Sequence, residues 1–535
     1  MKIIIKNGFI KLSIVLITVC FLSVFGSCTS DFGDINKDPN AATEKELGYD
    51  NLGVGSLITQ IQHQIYPCVT KDQNIDVNNY QKMYSLAGDV YSGHQGASNM
   101  FDNNGRNNTT YDMTPDWYSI AYSVGYQNYM TPWYTLLKKK TISPEAFAVG
   151  QILKVFGMHR ITDMYGPLPY KDFIPASNVP FTSQEDVYDT FFDELDEATA
   201  ILKEYIKNNP GAKSLVDYDK IYGSDFNKWI LFANSLKLRL AMRIVYADAA
   251  KAKLKAEEAI ADGVFATNDD NAMIRVNGTS TVNPLYMICY TYNDTRLGAT
   301  MESYLKGYKD PRLKLLFNIS EVSEYKDYNG IRSGVIFEGN EYKVFSLLNV
   351  TSSTPIQIMT AAEVLFLRAE AAYRGWNAGG ESAQSLYEEG IRIAFAQVGA
   401  GNESEYIAGT TLPEPYIDPV KSRYNYKNTG RVVVKWDESS GLEQIITQKW
   451  IALYPDGQEA WSEFRRTGFP RVIPIGENYS GGSVNTAKQV ARLPYPYNLK
   501  NDYPLLYPEA LTLLGGADTG GTKLWWDKNS AKPYQ

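Results

Sequence analysis

A chain of 535 residues with 44% hydrophobic and 21% charged residues has apolar content enough for a substantial core and the polarity of a soluble globular body. Its formal net charge is −8, and no basic run interleaves with aromatics, so a phosphate backbone is repelled and no nucleic acid is expected as a partner. The compositional anomaly is 39 tyrosines, each an apolar face with a polar tip, which suits a wet, ring-rich surface as well as a core.

At the N-terminus, Lys2, Lys6 and Lys11 lead into an apolar run over residues 12–25, and "GSC" then sets small residues before Cys28. That is the layout of a secretory signal, and the run is too short to span a bilayer comfortably. Gly26, Ser27 and Cys28 resemble the bacterial lipoprotein signal, in which the cysteine becomes the first, acylated residue; Phe25 departs from the leucine common there. Residues 1–27 are therefore predicted to be a signal peptide. Cys28 would carry a palmitate-type lipid anchor, and "TSDFGDINKDPNAAT" falls in a polar leader over 28–45. The remainder, 46–535, is predicted to be a single domain. Its two cysteines, Cys68 and Cys289, build neither a disulfide framework nor a zinc site; they pair across the fold or stay buried and free.

The first strongly patterned helix begins at "MTPDW", with Thr114 as cap, Pro115 at the first helical position and Asp116 at the positive helix end. Tyr118, Tyr122, Tyr126, Tyr129 and Trp133 then recur at helical spacing, as a core-packing stripe does, while Trp117 sits at the helix mouth, within reach of solvent or a ligand. Paired amphipathic helices follow. "SPEAFAVGQILKVFGMHRITDMYG" is followed by "TSQEDVYDTFFDELDEATAILKEY", where Ser183 and Asp186 resemble a capping pair. "DFNKWILFANSLKLRLAMRIVYA" leads into "AKAKLKAEEAIADG", and "IMTAAEVLFLRAEAAYRGW" into "SAQSLYEEGIRIAFAQVG". A last long helix in "LEQIITQKWIALYPDGQEAWSEFRRTG" is expected to bend or break at Pro455. The predicted fold is mainly α: tetratricopeptide-like helix pairs forming a frame, with long irregular loop insertions (near 70–135, 264–355 and 400–440) and a few short strands, "RVVVKW" (Arg431 to Trp436) among them.

Catalytic signatures are scarce. The three histidines, His63, His94 and His159, form no metalloprotease motif, and His159 reads as a satisfied interior residue. "GADTGGTK" lacks the adjacent glycine and lysine that let a phosphate loop close on its ligand. Paired carboxylates for glycoside cleavage remain open, because acids are abundant and sequence separation says nothing of distance in space. The arginines of "EFRRTGFP" and "KDPRL" read as ion-pair and turn residues.

"MHRITDMYGPLPYKDF", "AAEVLFLRAEAAYRG", "QKWIALYPDGQEAWSEFRRTGFPRV", "RLPYP", "KLWWD" and the leader "DFGDINKDPNAAT" together resemble the SusD/RagB outer-membrane lipoproteins, from the signal to the last twenty residues. The resemblance implies a lipid-anchored outer-membrane protein facing the cell exterior. It would bind a nutrient, commonly an oligosaccharide or polysaccharide, as the lid of a SusC-like TonB-dependent transporter. It implies no enzyme activity and no cofactor, and leaves open a structural calcium ion. RagB-type relatives would suit peptide cargo instead. A surface glycoside hydrolase and a helical scaffold that binds only protein compete with this reading.

A sugar offers C–H faces that stack on rings and hydroxyls that need planar donors and acceptors, so its site wants exposed Trp or Tyr beside amides, acids or guanidinium groups. Two insertions carry that mixture. In "SGHQGASNMFDNNGRNNTTYDMTPDWY" the candidates are Asn99, Tyr111, Trp117 and Tyr118, with His94, Arg106, Asn107, Asn108 and Asp116 nearby. In "YMICYTYNDTRLGATMESY" they are Tyr290, Tyr292, Asn293, Asp294 and Arg296. The family resemblance implies that ligand-binding aromatics come from these two regions, brought together on one face.

Overall fold

A computed structural model describes residues 51–70, 75–101, 104–176, 178–320, 326–427 and 430–533. The signal peptide, the leader and Cys28 lie outside the described residues. The body, Val54–Gln535, is mainly α. Its principal helices are α1 (Pro115–Val124), α2 (Pro144–Tyr165), α3 (Gln184–Asn208), α4 (Phe226–Arg243), α5 (Ala249–Ala261), α6 (Ala361–Tyr373), α7 (Ala383–Val398), α8 (Gly441–Leu453) and α9 (Gly457–Thr467).

Local chemistry sets these boundaries. Pro115 and Pro144 open α1 and α2 at the first helical position. The Ser183 hydroxyl accepts from the Asp186 amide at 3.1 Å and donates to its carboxylate at 2.7 Å, the capping pair read from the sequence. Asp225 and Thr360 cap α4 and α6 in the same manner. Thr114 does not cap with its side chain; instead Asn108 Oδ1 accepts the Thr114 amide at 2.9 Å. The predicted long C-terminal helix breaks at Pro455 into α8 and α9.

The helices pack in sequential pairs, α2 on α3, α4 on α5, α6 on α7 and α8 on α9, with α3 against α4 and α6 against α8 linking the pairs. Helix α2 is the centre: every residue from Glu145 to Tyr165 is buried, so it has no solvent face. Tyr129 crosses it so closely that a Cβ on Gly157 would lie 2.6 Å from the tyrosine ring. The core is also stitched by charge. Paired hydrogen bonds join Arg160 to Asp456 (2.9 and 2.8 Å), Arg239 to Glu363 (2.7 and 2.6 Å) and Arg466 to Glu370 (2.7 and 2.6 Å), with Lys449 on Glu463 at 2.6 Å. All of these side chains are buried, and they tie α2, α4, α6, α8 and α9 together. The arginines of "EFRRTGFP" are thus structural, as expected: Arg465 lies over the Trp461 ring at 3.6 Å and donates to the carbonyls of Asp163 and Ala491.

Two small antiparallel ribbons complete the body. One pairs β1 (Gln95–Ala97) with β3 (Thr295–Leu297); the other pairs β2 (Ala272–Ile274) with β4 (Ile356–Met359). The strand expected at Arg431–Trp436 does not form. Its carbonyls are taken by side chains instead: Tyr308 donates to Val432, Tyr387 to Val434, and the Gln444 amide to Val433 and Lys435, which leaves no ladder to build. Cys68 and Cys289 are buried and free; burial pushes the Cys68 thiol up to about 12. Among the described residues no helix is long and apolar enough to cross a membrane.

Candidate functional site

The two insertions meet. Strand β1 from the first pairs antiparallel with β3 from the second, Gln95 opposite Leu297 and Ala97 opposite Thr295. Beyond the ribbon, the Ser98 amide donates to the Asp294 carbonyl at 3.0 Å and the Ser98 hydroxyl to the Asn293 carbonyl at 3.0 Å. The Asp294 carboxylate closes the joint. One oxygen accepts from Asn99 Nδ2 at 2.8 Å, the other from Gln81 Nε2 at 2.8 Å. With both oxygens engaged by amides in a buried position, Asp294 is held as a strut rather than poised as an acid or base. Asn99 in turn accepts the Phe101 amide at 3.0 Å, which turns the chain so that the Phe101 ring meets Trp117 edge to face, with centroids 5.1 Å apart. One continuous set of contacts therefore runs from Trp117 through Phe101 and Asn99 to Asp294, two residues from Tyr292.

Rings stand on both sides of this joint. Trp117 and Phe101 are half-buried in the first turn of α1 and the loop facing it; Tyr118, next in that turn, is half-buried with Asp518 and Tyr497 of the C-terminal segment as its neighbours. On the other side Tyr292 is half-buried and Tyr290 is 38% exposed. Tyr290 stacks on Tyr286 at 5.2 Å, donates to the Leu348 carbonyl at 2.6 Å and accepts from Asn318 at 3.1 Å, so its ring is fixed in orientation. Partial burial raises the hydroxyl pKa of both Tyr290 and Tyr292, keeping them neutral donors.

Several expected ligand contacts prove to be supports. Tyr111 is buried at 3% exposure, edge-on to Tyr91, with its hydroxyl on Gln489 at 3.3 Å; its left-handed backbone (φ 65°) turns the ring inward. Arg296 is 1% exposed, and its guanidinium is used on backbone carbonyls, Thr295 at 2.7 Å and Lys343 at 3.2 Å, and on the Asn293 side chain. Asn293 supplies the left-handed turn (φ 61°) that precedes β3. His94 is buried, with Nε2 2.9 Å from the Trp450 carbonyl, and burial lowers its pKa to about 4, so it stays neutral. Asn107 caps the short turn Asn108–Thr110, and exposed Asp116 pairs with Lys82. Phe101 and Tyr286 were not among the expected contacts, and the structure places them against Trp117 and Tyr290. The i, i+4 spacing of Tyr286 and Tyr290 was a usable signal for the second; Phe101 carried none. No cluster of His, Cys, Asp or Glu suited to a metal occurs among the described residues.

Comparison with known proteins adds the lineage. No curated protein matches the chain. Among solved structures, a chitin-binding SusD homologue from Flavobacterium johnsoniae is 38% identical, with a TM-score of 0.84 over 89% of this chain and 99% of that one. A SusD homologue from Bacteroides vulgatus is 34% identical (TM-score 0.82, covering 90% and 99%), and a SusD-like protein from Bacteroides thetaiotaomicron 30% identical (TM-score 0.83, covering 90% and 99%). The family model described as SusD-like, "Susd and RagB outer membrane lipoprotein", matches residues 34–527, and the chain belongs to that family.

Proposed function

We propose that this protein is a cell-surface lipoprotein, tethered through acylated Cys28, that captures an oligosaccharide or polysaccharide by ring stacking and loop hydrogen bonds. It then passes the glycan, uncleaved, to a SusC-like TonB-dependent transporter that it covers as a lid. The observation that carries the reading is the β1–β3 joint, which gathers Trp117, Phe101, Tyr290 and Tyr292 about one buried anchor. Rings fixed in advance lose little freedom when a sugar face settles on them. The chitin-binding relative makes an N-acetylglucosamine polymer the first glycan to try.

Affinity electrophoresis through gels containing glycol chitin, and a panel of other polysaccharides, tests this. Retardation is expected on at least one glycan, and Trp117→Ala should weaken it about tenfold, close to the contribution of one well-stacked aromatic. Unchanged migration on every glycan overturns a sugar ligand and favours peptide cargo of the RagB kind; release of reducing ends from a retained glycan overturns the non-catalytic reading.

A further inference from the structure

Helix α1 presents rings on two sides. Trp117 and Tyr122 are five residues apart, which places them about 140° apart around the axis and about 7.5 Å along it. Trp117 faces Phe101 and the loop joint; Tyr122 and Tyr126 line a cleft of ≈ 500 Å³ on another side of the helix. The volume is in the range of small-ligand sites, about 300–1,000 Å³. One wall is a curved run of rings, Tyr122 to Tyr126 at 4.8 Å and Tyr126 to Phe173 at 5.8 Å, tilted by 45° and 39°. The Tyr126 hydroxyl is tied to the Pro169 carbonyl at 3.1 Å. The facing wall comes from the C-terminal segment, where exposed Tyr503 stands beside Asn498, whose amide donates to Asp502 at 2.5 Å.

The polar groups select the ligand class. Among the described residues no lysine or arginine lines the cleft, so nothing there would hold a phosphate, sulfate or carboxylate. Gln127 and Asn178 instead offer exposed planar amides with no partner among the described residues, and Asp502 keeps a second carboxylate oxygen for a hydroxyl. An extended peptide would need backbone groups to pair with, yet Pro169, Pro175 and Pro496 on the lining have no N–H to give. Ring faces combined with neutral planar donors and acceptors suit a neutral sugar. We propose that this cleft is a second saccharide-binding site, separate from the loop joint and carried by the same helix. The proposal rests on the glycan-binding reading, and two sites on one rigid body would hold a long chain more firmly than either alone.

Isothermal titration of the full chain with chitohexaose, and in parallel with cello-, malto- and xylohexaose, tests it. Two hexaoses per chain are expected. Ser123→Arg, which plugs the cleft from an exposed position, and Phe173→Ala with Tyr503→Ala, which removes its outer rings, should each lower the stoichiometry to one with the thermal midpoint retained. Trp117→Ala should weaken the other site alone, about tenfold. A single site weakened by Trp117→Ala and untouched by Ser123→Arg overturns the cleft and leaves the loop joint standing. A single site with the opposite response supports the cleft and overturns the joint. No hexaose bound at all overturns both. A tyrosine–proline decapeptide that binds wild type but not Ser123→Arg, with no hexaose doing so, overturns the saccharide in favour of a peptide.

Discussion

Asp294 braces the candidate site, with both carboxylate oxygens engaged beneath the rings. Its carboxylate satisfies Asn99 from one insertion and Gln81 from the helical run behind it. Asp294→Ala would strand the buried Gln81 amide and the half-buried Asn99 amide, which costs about 1–3 kcal/mol for such groups. We expect a matching loss in urea denaturation, together with a glycan affinity reduced as far as in Trp117→Ala. A fully stable variant with weakened binding would instead make Asp294 a direct contact. Asp89 tests the charge chemistry of the core. Burial, and then the neighbouring Asp456, push its carboxyl up to about 8, against Arg160 and the Gly457 amide, which pull it down. The folded chain therefore keeps a proton that the unfolded chain releases near the ordinary carboxylate value of about 4. The stability this proton contributes is full below about pH 4 and is lost as pH rises through about 8. Relative to Asp89→Asn, which removes the titration, the wild-type denaturation midpoint should fall between about pH 5 and about pH 8; parallel curves would refute it.

At the scale of elements, the helix pairs are held by ion pairs that amphipathic patterning does not reveal. Arg466 on α9 reaches Glu370 on α6 and Glu463 on its own helix, all fully buried. Arg466→Met should cost about 3–5 kcal/mol because it takes a partner from two buried carboxylates, which are left to Arg374 on one side and to Lys449 and Arg243 on the other. Adding Glu370→Leu should recover part of that loss, since Arg374, the other partner of Glu370, is 19% exposed and can turn to water. Equal stability of the single and double variants would show that the pair itself is not what matters. Helix starts were legible in the sequence because caps and first-turn prolines act locally, at Ser183, Pro115 and Pro144. Arg431–Trp436 was misread because its three consecutive valines fit a strand propensity, while the side chains that take its carbonyls, Tyr308, Tyr387 and Gln444, lie outside the run. The β1–β3 ribbon was not legible as a pair of strands: three residues each, Gln-Gly-Ala against Thr-Arg-Leu, carry almost no strand signature.

Across the whole molecule, the frame and the family could be read from composition, helix pairing and motif, and the meeting of two insertions was expected from the resemblance. What could not be read was the division of labour among their polar residues. Tyr111, Asp294 and Arg296 look like ligand groups in a loop, but burial and hydrogen bonding assign them to construction, and only coordinates distinguish the two uses. That division bears on how such a protein can change its diet. The clasp beneath the rings is made of backbone ladder, one carboxylate and interior amides, whereas positions 101, 117, 290 and 292 sit at its rim. Under the proposed function, new cargo can be accommodated by exchanging rim side chains while the clasp stays as it is, so appetite and foldability are free to drift apart.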